Sequence, residues 1–258
     1  MLAGLGAFIG LFIVISIAIL GFAESRDGFN SEDIGDPLEK ANAVAVYADE
    51  RLAAAANGEA LPAPPDILAN QEDLQFVLVM SLVSQAFLAV LVVLIAGQGL
   101  RGFIRQTGLD KIHFGRLWLI CGCVVLAYLG TFLYSLAAAA TGIEWLEPTS
   151  TLPTAVVRDN TTLWITGVVT LIGAPISEEL FFRGLTFSGL LRWGFWPAAS
   201  GAGLMFSAVH FDPGSLIPFF AIGVLICWIY YRRKSLWDAV LFHFIFNATS
   251  FAILVATS

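Results

Sequence analysis

The chain has 258 residues, 58% of them hydrophobic and only 13% charged, with a mean hydropathy of +0.81 and a formal net charge of −7. That balance excludes an ordinary soluble globular domain, and the acidic charge argues against a nucleic-acid partner. It predicts an all-α polytopic membrane protein, a transmembrane helical bundle of about seven spans.

A hydrocarbon core of ~30 Å takes about 20 apolar residues per helix. In chain order, the stretches that meet or approach this length are 2–22, 75–97, 117–139, 161–182, 197–211, 216–231 and 236–256, with 197–211 the shortest. The first ends at Gly21-Phe22-Ala23, whose small residues Gly21 and Ala23 resemble a cleavage site, but no Lys or Arg precedes it and it is longer than a signal-peptide core, so an uncleaved helix is expected. The chain then divides into a first transmembrane helix (1–23), an acidic loop (24–74), two helices joined by a basic loop (75–160) and a helical core (161–258).

Residues 24–73 carry twelve acidic residues against Arg26, Lys40 and Arg51, a net of −9, so this one loop sets the charge of the whole chain. Within it, 37–57 is alanine-rich and open to helix, and the Pro-rich stretch after it should be extended. The loop reads as a solvated linker or a small cap and carries no chemistry. By contrast, 98–116 holds Arg101, Arg105, Lys111 and Arg116 against Asp110, and 232–234 is Arg-Arg-Lys. The positive-inside rule makes both cytoplasmic. With seven spans, every basic cluster then falls on one side, with the N-terminus inside and the acidic loop and C-terminus outside. The expected location is a bacterial cytoplasmic membrane. Cys121, Cys123 and Cys227 all lie in apolar spans, where free thiols pack as small hydrophobes. His113, in the basic loop, reads as a solvated residue.

Ionisable residues inside spans are costly and are functional candidates. Here they are Glu178, Glu179, Arg183, His210 and His243, with the amide of Asn247 beside them. Glu179 and Arg183 are four apart with the acid N-terminal, the favourable order for a helical ion pair. Glu178 points about 100° away around the helix and is left over. His243 and Asn247 share a helix face at the same spacing, and Phe206 and His210 repeat it. Counting from the cytoplasmic anchors at ~1.5 Å per residue, Glu178, His210, His243 and Asn247 lie roughly 21, 24, 12 and 18 Å deep, so they can meet in one site. Pro175 removes a helical hydrogen bond and crowds the carbonyl of Leu171, which should open the helix beside Glu178.

Each residue also has a structural reading. Glu179 with Arg183 fits an ion pair, either histidine fits a hydrogen-bonded core residue, and Asn247 fits helix-to-helix glue. Four costly polar groups on three helices are nonetheless hard to explain as independent accidents. A carboxylate in a low-dielectric site is a credible general base near neutral pH. With His210 it could hold and deprotonate a water, while His243 and Asn247 could donate to the oxyanion of a tetrahedral intermediate. The reaction this arrangement implies is peptide-bond hydrolysis inside the membrane.

These residues also carry a family resemblance. Residues 178–183 (EELFFR) resemble an EExxxR motif, 206–210 (FSAVH) an FxxxH motif and 243–247 (HFIFN) an HxxxN motif, in that order, as in the CPBP intramembrane proteases. That family, with its ABI domain, includes the CAAX prenyl endoprotease and bacteriocin-processing and immunity proteins. The resemblance makes 161–258 the protease core and implies that Glu178 and His210 activate water and that His243 and Asn247 form the oxyanion hole. Glu179, Arg183 and Phe206 take supporting positions. The implied substrate is a membrane-embedded or lipidated peptide or protein, with the lipid bilayer as surroundings, no nucleic acid and no cofactor.

Three alternatives use the same residues. Glu178, His210 and His243 would make a zinc ligand set for an intramembrane metalloprotease, although HExxH is missing. A non-catalytic immunity or scaffold protein would keep the site without using it. A proton-coupled transporter would use the buried carboxylates as a relay.

Overall fold

The computed structural model describes residues 46, 50, 53, 54, 56, 57, 71–97, 99–111, 115, 117–148, 154–210 and 212–257. The expected first span 2–22, most of the acidic loop, His113 and Arg116 lie outside the described residues. The six isolated positions in the alanine-rich piece are helical.

Among the described residues the fold is helical throughout. We number the helices α1 (Gln71–Ile95), α2 (Gly99–Thr107), α3 (Leu117–Thr141), α4 (Asn160–Trp193), α5 (Phe195–Ala208), α6 (Leu216–Arg233) and α7 (Leu236–Thr257). Five of them, α1 from Leu74 together with α3, α4, α6 and α7, are long and apolar enough to cross a membrane. The expected span 197–211 is α5, whose 14 residues rise only about 21 Å.

The ends of these helices sort as the charge pattern requires. Arg233 donates from Nη2 to the Gly115 carbonyl at 2.8 Å, Ser235 Oγ donates to Lys111 O, and the Trp237 indole donates to Leu109 O at 2.8 Å. The two basic segments therefore pack against each other at one end of the bundle. At the opposite end Gly214 lies so close to the Glu147 carbonyl that a Cβ there would collide with it. Since α5 runs from Gly194, beside the basic end, to the turn before Gly214, it passes from one end to the other despite its length. Large apolar side chains such as Leu94, Trp118, Trp164 and Trp196 point outward, as lipid-facing and interfacial residues do.

The span with the largest buried share is α4, and it starts where a cap dictates. Asp159 is extended (φ −133°, ψ 135°) and its Oδ2 accepts from Thr162 N at 2.8 Å, an N-cap. That N–H also holds the Asp159 carboxyl below its ordinary pKa. Gln75 of α1 donates to the same oxygen at 3.2 Å, which ties α1 to the start of α4.

The α5–α6 crossing rests on glycine. A Cβ on Gly223 would sit 2.8 Å from the Gly203 Cα, and one on Gly203 would sit 3.1 Å from the Phe220 carbonyl. Small residues let the two backbones touch, the usual device for helix association in lipid. Replacing Gly223 with Val should separate the helices at a cost of about 1–3 kcal/mol, read as a lowered melting temperature of the purified protein in detergent. A wild-type melting temperature would contradict this packing.

Candidate active site

The polar residues of α4 lie where its helical register changes. Val169–Gly173 and Leu180–Phe187 are π-helical, and the short α segment Ala174–Glu179 between them carries Pro175 and both carboxylates. In the first π turn the N–H of Ala174 reaches back to Val169 O. By the same register Thr170 O would need the N–H of residue 175, which proline lacks. The side chain of Asn247 supplies the missing donor, Nδ2 to Thr170 O at 2.9 Å. The helix thus opens before the carboxylates as expected, but the carbonyl left without its donor is that of Thr170 rather than Leu171.

Glu179 and Arg183 form the expected pair, Nη1 to Oε1 at 2.8 Å, with both side chains fully buried. The same Oε1 also accepts from His243 Nδ1 at 2.8 Å. Arg183 in addition donates from Nη2 to Gly223 O at 3.1 Å, and its guanidinium lies 4.8 Å from the centre of the Phe206 ring. Glu179 is therefore the centre of an Arg–Glu–His cluster joining α4, α6 and α7. Helical spacing could expose the Arg183 contact but not the His243 contact, which spans 64 residues.

Two hydrogen bonds fix the histidine tautomers. A backbone carbonyl can only accept, so His210 Nδ1, 2.7 Å from Phe206 O, carries the proton. An ionised Glu179 likewise requires a proton on His243 Nδ1. Both neutral imidazoles then have an unprotonated Nε2. The ring of Phe206 packs against both, with centroids 4.9 Å from His210 and 5.9 Å from His243.

Glu178, His210, His243 and Asn247 line one cavity of about 360 Å³, together with Phe206. Glu179 and Arg183 stay behind its wall. Both carboxylates have a buried Oε2 with no hydrogen-bond partner, but Glu179 is bound twice through Oε1, whereas Glu178 lines the cavity. The cavity also reaches Pro148 and Ser215 at the end opposite the basic clusters. Sequence reasoning missed Tyr128 of α3, which lines it and bonds Ser250 Oγ at 2.6 Å and donates to Phe246 O at 2.7 Å. A tyrosine in the middle of an apolar span was the available signal.

The zinc alternative can be tested on the donor geometry. Although Glu178, His210 and His243 share the cavity, no three His, Cys, Asp or Glu side chains among the described residues are grouped closely enough to hold a metal ion.

A carboxylate and two imidazoles of fixed tautomer thus share one cavity among helices of which five are long and apolar enough to cross a membrane, as in an integral membrane protein. Residues 160–249, the segment that holds all three motifs, match the family model described as type II CAAX prenyl endopeptidase Rce1-like. The chain is also 27% identical over 168 residues, 65% of its length and 68% of the relative's, to the protein of Bacillus subtilis (strain 168) described as "Putative membrane peptidase YdiL". No solved structure matches it. The resemblance read from the three motifs holds, and it supports a membrane endopeptidase.

The two adjacent carboxylates should respond unequally to neutralisation. Glu179→Gln leaves buried Arg183 unpaired and should cost about 3–5 kcal/mol of stability. Glu178→Gln should change stability by no more than about 0.5 kcal/mol. Thermal unfolding in detergent reads both, and equal losses would contradict the division.

Proposed function

We propose that the chain is an intramembrane endopeptidase in which Glu178 and His210 activate a water molecule to cleave a peptide bond of a membrane-embedded or lipidated substrate. The observation that carries this reading is the meeting of four polar side chains from α4, the turn after α5 and α7 in one cavity, with Glu178 the carboxylate that lines it.

His210 Nε2, unprotonated because Nδ1 is held by Phe206 O, accepts one hydrogen of the water and orients it. Glu178 takes the other proton as the water oxygen bonds to the carbonyl carbon. The resulting oxyanion receives the second Nδ2 hydrogen of Asn247, whose first is engaged with Thr170. His243 donates from Nε2 when it holds a second proton, with Glu179 beside it to balance the charge. Collapse breaks the C–N bond, and the proton on Glu178 passes to the departing amine. This chemistry needs no cofactor. With the positive-inside orientation, N-terminus inside, the cavity opens toward the outer end and the substrate segment approaches from there.

The test uses purified protein in lipid nanodiscs, incubated with a solubilised membrane-protein extract, with new peptide N-termini counted by mass spectrometry. Glu178→Gln and His210→Ala should each lower cleavage about 10²–10⁴-fold while the fold persists. Full cleavage by both variants would make the site non-catalytic, as an immunity or scaffold role requires. Cleavage that depends on stoichiometric zinc would replace this mechanism with the metal-dependent one.

A further inference from the structure

The basic end of the bundle contains a second cavity, of about 350 Å³, separate from the one around Glu178. It is lined by Arg105 of α2, Lys111 of the following turn and Lys234 at the end of α6, with Ser188 and Tyr230 among the other wall residues. No acidic residue lines it. Three cations from three chain segments thus face one concave space, an arrangement whose mutual repulsion calls for an anion.

The site is built rather than incidental. Lys234 is the one non-glycine residue with positive φ among the described residues (φ 56°, ψ 30°), at a helix C-cap position that ordinarily takes glycine. Its backbone is held there by its N–H to Tyr230 O at 2.8 Å and by close packing of its carbonyl against Gly108, whose own φ is +70°. This places the ammonium 4.0 Å from the centre of the Tyr231 ring. Tyr230, only 7% exposed, brings its hydroxyl to the cavity, 3.4 Å from Ser188 Oγ. Since Ser188 Oγ already donates to Arg183 O at 2.8 Å, Tyr230 is the donor in the long Ser188 contact, and its O–H would turn from that contact to reach a ligand.

We propose that this cavity binds a phosphate-bearing group, and that the source is the headgroup of an anionic phospholipid. Three cations with a hydroxyl donor suit the oxygens of a phosphodiester. Of the remaining walls, Gln106 adds an amide, while Phe187, Leu191 and Tyr231 are apolar or aromatic, which suits the glycerol and upper acyl region beside the headgroup. The position at the basic end of the bundle, where Trp193 and Trp237 are exposed, is where such headgroups would lie.

The test uses the full chain purified in detergent and reconstituted in nanodiscs of phosphatidylcholine doped with phosphatidylglycerol, with retained lipid identified by mass spectrometry after detergent exchange. Wild-type protein should retain phosphatidylglycerol selectively. The triple variant Arg105→Gln, Lys111→Gln, Lys234→Gly should lose roughly fivefold in retention per cation removed. Glycine at 234 suits the left-handed backbone, so Lys234→Gly alone removes one cation without a folding penalty and should show the single fivefold step. Arg101→Gln with Arg192→Gln, exposed cations outside the cavity, should leave retention unchanged. Inorganic phosphate that binds in pure phosphatidylcholine discs, and does so only with the cations intact, would keep the phosphate site but assign it to a soluble ligand. Equal retention by the wild type, the triple variant and the control would overturn the proposal.

Discussion

One carboxylate oxygen holds the centre of this protein together. Glu179 Oε1 accepts from Arg183 and from His243 at 2.8 Å each, in a site from which water is excluded. A charge in such surroundings is tolerable only when it is paired and hydrogen-bonded. The pairing fixes three helices at once, because Arg183 also reaches the Gly223 carbonyl and His243 belongs to α7. The glycine contact between α5 and α6 is part of the same arrangement, since it brings the Gly223 carbonyl near enough to receive the guanidinium. The pairing that joins these helices is therefore concentrated on Glu179, while its neighbour Glu178 lines the cavity.

The second constraint is the break in α4. Proline at 175 and the π turn before it remove one donor from Thr170 O, and Asn247 replaces it from another helix. A local defect thereby becomes a tertiary contact, and the residue that satisfies it also borders the cavity. Phe206 acts in a comparable way through both of its parts. Its carbonyl sets the His210 tautomer, while its ring lies between Arg183, His210 and His243. In each case a single residue serves the packing of the bundle and the orientation of a reactive group.

Much of this was legible in the sequence because membranes limit what polar residues may do. Apolar runs placed the helices, basic clusters sorted their ends, and spacing of four paired Glu179 with Arg183. The convergence of Glu178, His210, His243 and Asn247 followed from depth along the helices. What the sequence could not show was contact between helices. The bond from His243 to Glu179 spans 64 residues, and nothing in either segment's periodicity points to the other. The π register was also hidden, because its cause lies partly in Asn247, far from the turn it satisfies. The shortness of α5 was visible, but its passage from one end of the bundle to the other depends on contacts of its flanking turns. Lys234 gave no signal at all, since a left-handed lysine has no sequence signature.

The central claim is that Glu179 anchors His243, leaving Glu178 as the reactive carboxylate. The most direct measurement is ¹⁵N NMR of protein labelled at histidine, of which the chain has only three, with assignment by substitution. The account predicts that His243 is protonated at Nδ1 near neutral pH, that His210 is protonated at Nδ1 and not at Nε2, and that Glu179→Gln, but not Glu178→Gln, changes the His243 signals. An unprotonated Nδ1 on His243, or a His243 spectrum that is indifferent to Glu179, would contradict it.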